Sequence, residues 1–332
     1  METPNKGVMS SSGSENVGDG KMRKVEQQQK YWSRPSIEPV RSGSINVYGK
    51  KQLPMWQDNY QGIPVKKLIA DYGSPLFAIS EERIRNNMQS LQRAFTSRYP
   101  QVIFGWSYKT NYISAVCNIM HQEGAAAEVV SAFEYRKARK LGVPGDRIIF
   151  NGPAKNREIL EQAIEENAYI HIDHFDELDL IEDISKERHK PTKIAIRLNF
   201  DTGFTEQWGR FGFNIESGQA MDAVRRIAKN KSLQLVGLHS HIGTFILDVR
   251  AYAAQVRIMC DFMNQIEHNT KIQIEYIDIG GGFASLNQLQ NSYFPPEKTV
   301  PSIDQYAEAV CSTLIQETQD RTASGIKRPV LI

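Results

Sequence analysis

From Pro75 onward, short apolar, β-branched runs alternate with longer segments of helical period. That alternation is the pattern of βα units feeding a parallel sheet. Eight runs read as strands: VIFGWSY ending at Tyr108, AAEVVS at Ser131, RIIFNG at Gly152, AYIHID at Asp173, KIAIRLN at Asn199, LQLVGLHSHI at Ile242, IQIEYIDIG at Gly280 and PVLI at Ile332. Between them, AFEYRKARKLGV with Gly142 as its stop, NREILEQAIEENA and SGQAMDAVRRIAKN carry helical spacing. Eight strands with intervening helices predict an α/β fold, a (β/α)8 barrel in preference to an open doubly wound sheet. Two earlier strand candidates, INVYG at 45–49 and PLFAIS at 75–80, fall outside the eight and are assigned to a second, β-rich domain.

Composition narrows the setting. The 332 residues carry 40 Lys plus Arg against 38 Asp plus Glu, with no long run of one sign, so neither a nucleic-acid nor a membrane partner is expected. No apolar run reaches the roughly 20 residues a bilayer requires. Cys117, Cys260 and Cys311 are scattered and show no C-x-x-C spacing, which points to a reducing compartment and a cytoplasmic protein. Residues 1–45 are rich in Ser, Gly, Asn, Gln and Lys and read as a flexible polar arm. Residues 46–82 then contribute to the second domain, and 83–332 form the barrel, ending in its eighth strand.

In such a barrel the working residues sit at the C-terminal ends of the strands. Strand one ends in Lys109, whose amine, desolvated at a barrel rim, becomes a nucleophile toward a carbonyl; a solvated lysine at a strand end is the competing reading. Strand six places His239 and His241 on one face, with Gly237 leaving space below them. Two imidazoles there suit a catalytic metal, as in zinc-dependent barrel hydrolases, or one structural histidine beside a platform for a flat ligand. The metal reading requires further ligands, and only His171 and His174 near strand four offer themselves, with no carboxylate paired to them; no metal is expected. Strand seven runs into Gly280, Gly281 and Gly282, consecutive backbone N–H groups of the kind that wrap a phosphate, or a plain tight turn. A carbonyl for Lys109, a flat ring for His241 and a phosphate for the glycines are combined in pyridoxal 5′-phosphate.

The strings YKTN, EVVSAFEYRKARKLGVP, IIFNGPAK, FGF, GLHSHIGT and DIGGGF, in this order, resemble the fold-type III pyridoxal-phosphate decarboxylases, the family of diaminopimelate, ornithine and arginine decarboxylases. The resemblance runs from about Val65 to Ile332 and implies a barrel of the alanine racemase-like type. It implies that Lys109 is the Schiff-base lysine, that His241 stacks on the cofactor ring, that Thr244 touches the phosphate and that Gly280, Gly281 and Gly282 bind it. Glu128 occupies an acidic position near the Schiff base, and Arg197, from strand five, matches an arginine close to the cofactor; a core salt bridge explains an inward Arg and Glu about as well. The implied reaction is decarboxylation of meso-diaminopimelate or a related diamino or basic amino acid. Arg210, in TEQWGRFGF, is a candidate for a distal carboxylate, against a solvated loop arginine.

The sequence departs from the family at Pro329-Val330-Leu331-Ile332, beyond which the family continues with Glu-Pro-Gly-Arg and a C-terminal β domain. That domain supplies a cysteine proton donor and substrate-binding residues across a dimer interface, and none of the three cysteines matches it. The expectation is a truncated form of a full-length homodimeric enzyme. The alternatives are a non-catalytic homologue that binds the cofactor, a racemase using the same cofactor, and a metal-dependent hydrolase resting on His239 and His241.

Overall fold

A computed structural model describes residues 58–188, 191–287, 289 and 294–332. The polar arm and the INVYG segment lie outside the described residues. Eight of the nine parallel strands of the central sheet follow one another around it: β1 Gly105–Ser107, β2 Ala126–Val129, β3 Ile148–Phe150, β4 Tyr169–Ile172, β5 Thr192–Asn199, β6 Leu233–His239, β7 Tyr276–Asp278 and β8 Val330–Leu331; the ninth, Phe213–Asn214, pairs with β5 alone. The eight pair in chain order from β1 to β8. The ring is closed by a parallel bridge between Val102, just ahead of β1, and Leu331 of β8. Ile103 N–H donates to the Leu331 carbonyl at 2.8 Å, and Leu331 N–H to that of Gln101 at 2.9 Å. The sheet is thus an α/β barrel of the expected class.

The pleat sorts the side chains. Val129, Phe150, Ile172, Ile196 and Leu198 are buried in the main apolar cluster, together with residues of the helices that wrap the sheet. The alternate positions, Glu128, Asn151, His171 and Arg197, are polar. In β6, pairing with β5 jumps from Leu235 to Gly237, so Val236 is an extra residue. Beyond that bulge Gly237 and His239 share a face. The space Gly237 provides is filled by Tyr276: a Cβ at Gly237 would lie 2.2 Å from the tyrosine ring.

The three sequence-read helices form as Ala132–Lys140, Arg157–Glu165 and Gln219–Lys229. The first two have side-chain N-caps, Ser131 and Asn156. Gly142, past the end of the first, adopts φ 86°, the left-handed conformation that stops a helix. Expectation and structure differ at PLFAIS. Residues 75–80 form no strand, and Phe77 is 95% exposed, because no described segment offers these residues a pairing edge. The only strands of this N-terminal region among the described residues are a two-residue hairpin, Asn59–Tyr60 with Ile63–Pro64.

Candidate functional site

The C-terminal strand ends enclose a cavity of about 510 Å³, and every residue singled out from the sequence for cofactor contact lines it: Lys109, Glu128, Arg197, His241, Thr244 and the three glycines. Elements far apart in sequence supply them, because each follows the apolar run of its own strand and the barrel collects those ends in one place. His239 also lines the cavity; His174 and Arg210 do not. Arg210 is exposed and lies over the Phe211 ring, 5.2 Å from its centroid, as the solvated-arginine reading has it.

Lys109 is exposed to the cavity mouth, and its ammonium has no hydrogen-bond or ion-pair partner among the described residues. Arg197 Nη1 donates to Asp173 Oδ1 at 3.2 Å, and its guanidinium stacks on Phe211 at 4.6 Å, so it is both a core ion pair and a wall of the cavity. Burial pulls its pKa down and Asp173 offsets that. Among the described residues Glu128 makes no salt bridge; its Oε1 accepts from Asn151 Nδ2 at 3.1 Å. His241 stands edge-on to Trp208 with ring centroids 5.4 Å apart. Burial, reinforced by the positive charge of Lys109, lowers its pKa to about 3. The imidazole is therefore neutral at physiological pH.

The glycine loop leaves room at the cavity's edge. Gly280 and Gly282 have φ of 70° and 95°, and a Cβ at either would meet His241 Nδ1 at 2.8 Å or the Gly243 carbonyl at 2.1 Å. At Gly281 a Cβ would meet nothing within 4 Å, so the loop presents backbone to open space. Gly280 N–H donates to Asp278 Oδ1 at 2.7 Å and Gly281 N–H to His241 Nδ1 at 3.3 Å, so these two N–H groups tie the loop to the end of its own strand, β7, and to the segment after β6. A free amine, a neutral ring and a side-chain-free loop around one cavity fit pyridoxal phosphate.

Other features of the site were not assigned from the sequence. Asp278 lies 3.5 Å from His171 Nδ1 and 3.2 Å from His239 Nδ1, so these histidines do have a carboxylate beside them, from strand seven. Lys155 of the NGPAK string is fully buried and bonds to the Gly152 and His171 carbonyls and to Glu177. Asn151, Trp208 and Phe211 complete the cavity wall. The apolar–polar switch after strand three was the available sign for Asn151; nothing local marks Asp278 as a partner of strands four and six.

Residues 81–322 match the model of the family described as the pyridoxal binding domain of pyridoxal-dependent decarboxylases. The chain belongs to this family. Its cofactor is pyridoxal phosphate. Among similar proteins, the diaminopimelate decarboxylase of Methanocaldococcus jannaschii is 29% identical over 274 residues, covering 78% of this chain and 60% of the relative. That of Aquifex aeolicus is 27% identical and covers 77% and 62%. The crystal structure of the M. jannaschii enzyme, also solved with L-lysine, superposes with a TM-score of 0.72 at 27% identity, over 82% of this chain and 62% of that one. The chain thus spans about three-fifths of the length of the relatives it matches. Among the described residues no helix is long and apolar enough to cross a membrane.

Proposed function

We propose that the protein is a pyridoxal-phosphate-dependent amino-acid decarboxylase acting on meso-diaminopimelate or a related basic amino acid through Lys109. The observation that carries this reading is the single cavity shared by an unpaired lysine, a neutral histidine and the Gly280–Gly282 loop. Decarboxylation replaces a C–CO2⁻ bond with a C–H bond, so the electron pair needs an acceptor and the carbon needs a proton. Pyridoxal phosphate, when bound, supplies the acceptor.

The chain supplies placement. Lys109 would hold the cofactor by its amine and yield it to the amine of the substrate. The glycine loop and the Thr244 hydroxyl would hold the phosphate, fixing the ring against rotation. His241, uncharged and braced by Trp208, would lie against the ring without adding a cation to it. Glu128 and Arg197 set opposite charges in the cavity wall, the latter anchored by Asp173.

Relatives named diaminopimelate decarboxylase support this substrate class, and one was solved with L-lysine, which is diaminopimelate less one carboxylate. In this reading residues 46–82 belong to a second domain and 83–332 to the cofactor-binding barrel, the enzyme works as a homodimer, and it is cytoplasmic. Three buried, unpaired cysteines and the exposed apolar Phe77, Tyr112 and Phe133 support the last two points.

The experiment is release of CO2 from meso-diaminopimelate, L-lysine, L-ornithine and L-arginine by the cofactor-loaded protein, beside Lys109→Ala. Release from meso-diaminopimelate, lost in the variant, is the expected result. Exchange of the α-proton without CO2 would instead assign a racemase, and neither reaction on any of the four would overturn catalysis.

A further inference from the structure

Beneath the cavity a line of hydrogen bonds crosses the barrel interior. Tyr276 of β7 meets His171 of β4, its Oη 3.1 Å from the Nε2. His171 Nδ1 is 2.6 Å from Asn151 Oδ1, just past β3, and Asn151 Nδ2 donates at 3.1 Å to Glu128 Oε1 of β2. Of these four residues Asn151 and Glu128 line the cavity, Glu128 with its carboxylate; Tyr276 and His171 are buried below it, 4% and 1% exposed.

The directions along this line follow from its end. A carboxylate only accepts, so Asn151 turns its amide nitrogen to Glu128 and its oxygen to His171. His171 must then donate from Nδ1. A second acceptor, Asp278 Oδ2 at 3.5 Å, lies on the same side of the ring. Burial holds His171 well below its usual pKa, at about 3, so the imidazole is neutral and has one proton to give. With that proton on Nδ1, Nε2 accepts, and the Tyr276 hydroxyl donates to it. Every donor therefore points toward Glu128, and such aligned bonds strengthen one another in a buried, low-dielectric interior.

We propose that Tyr276 and His171 are positioning residues that fix the Glu128 carboxylate in the cavity through Asn151. This rests on the reading of the cavity as a pyridoxal phosphate site. Tyr276 is the informative place to cut, because Tyr276→Phe removes one hydroxyl and leaves the ring in the space that Gly237 makes for it.

The test has two parts. In the cofactor-free protein labelled with ¹⁵N-histidine, the signals lost in His171→Gln identify His171 in the wild type. They should report a neutral Nδ1–H ring, moving toward the Nε2–H form in Tyr276→Phe. An Nε2–H ring in the wild type overturns the proposal, whatever the cofactor does. In the second part, affinity for pyridoxal phosphate and the pH midpoint of the bound cofactor's absorbance change are measured for wild type, Tyr276→Phe, Glu128→Gln and the double variant. Tyr276→Phe should weaken binding about tenfold, shift that midpoint, and add nothing once Glu128 is already Gln. Equal effects of Tyr276→Phe with and without the Glu128 carboxylate overturn the proposal. If the wild type takes up no cofactor, the reading of the cavity fails, and the tautomer alone decides the relay.

Discussion

Lys155 Nζ lies 2.6 Å from Glu177 Oε1 with essentially no exposure of either side chain. The same ammonium donates to the carbonyls of Gly152 and His171, and the Glu177 carboxylate also accepts the Asp173 N–H at 2.9 Å. One ion pair thus pins the ends of β3 and β4 beneath the cavity. Removing one partner strands a buried charge, which costs about 3–5 kcal/mol. Lys155→Met and Glu177→Gln should each lower the unfolding free energy by an amount of that order. Lys155→Met with Glu177→Leu should lose less than the sum, measured by chemical denaturation.

The glycine loop separates two kinds of damage. Gly282→Ala forces φ 95° on a residue with a Cβ 2.1 Å from the Gly243 carbonyl, and it should cost about 1–3 kcal/mol of stability. Gly281→Ala meets nothing in the protein, so its unfolding midpoint should match the wild type while affinity for pyridoxal phosphate falls. Equal affinity for Gly281→Ala and wild type would place the phosphate elsewhere.

Closure of the barrel depends on Leu331, which is 1% exposed and packs in the main core as well as bridging Val102. Leu331→Ala should destabilise by about 2–5 kcal/mol. Amide exchange should rise first at Ile103, whose N–H bonds to the Leu331 carbonyl.

Four histidines make stability pH-dependent, His121 being lowered by burial along with the three of the barrel interior. Burial holds His171 and His241 at about 3 and His239 well below its usual value. Below about pH 6.5 the unfolded chain takes up protons that the native state refuses, so stability falls with acidification by up to about 1.4 kcal/mol per pH unit for each ring. Asp278 and Glu134, whose carboxyl pKa values burial raises, act in the opposite direction, two groups against four. Unfolding free energy should be level from pH 8 to about 6.5 and fall below that; a level profile down to pH 5 would contradict the buried, neutral histidines.

The sequence was legible where information is local. Each strand announces itself by its own apolar run, and Lys109, His241 and the glycines follow such runs directly. What pairs across the barrel is not local. Asp278 belongs with His171 and His239, yet in sequence it reads only as one residue of the strand that runs to Gly280. Closure is made by one bridge from Val102, ahead of the first strand, to Leu331. Lys155 follows strand three in the NGPAK string, and only the fold shows it sealed against Glu177. PLFAIS has the composition of a strand, but a strand also requires a partner edge, which composition does not report.

The central claim is that Lys109 carries the cofactor. The direct measurement is reconstitution with pyridoxal phosphate, reduction with borohydride, and peptide mapping by mass spectrometry. A phosphopyridoxyl group on the peptide containing Lys109, absent in Lys109→Ala, is the result this account expects. An unmodified Lys109, with the label on another lysine or on none, would contradict it.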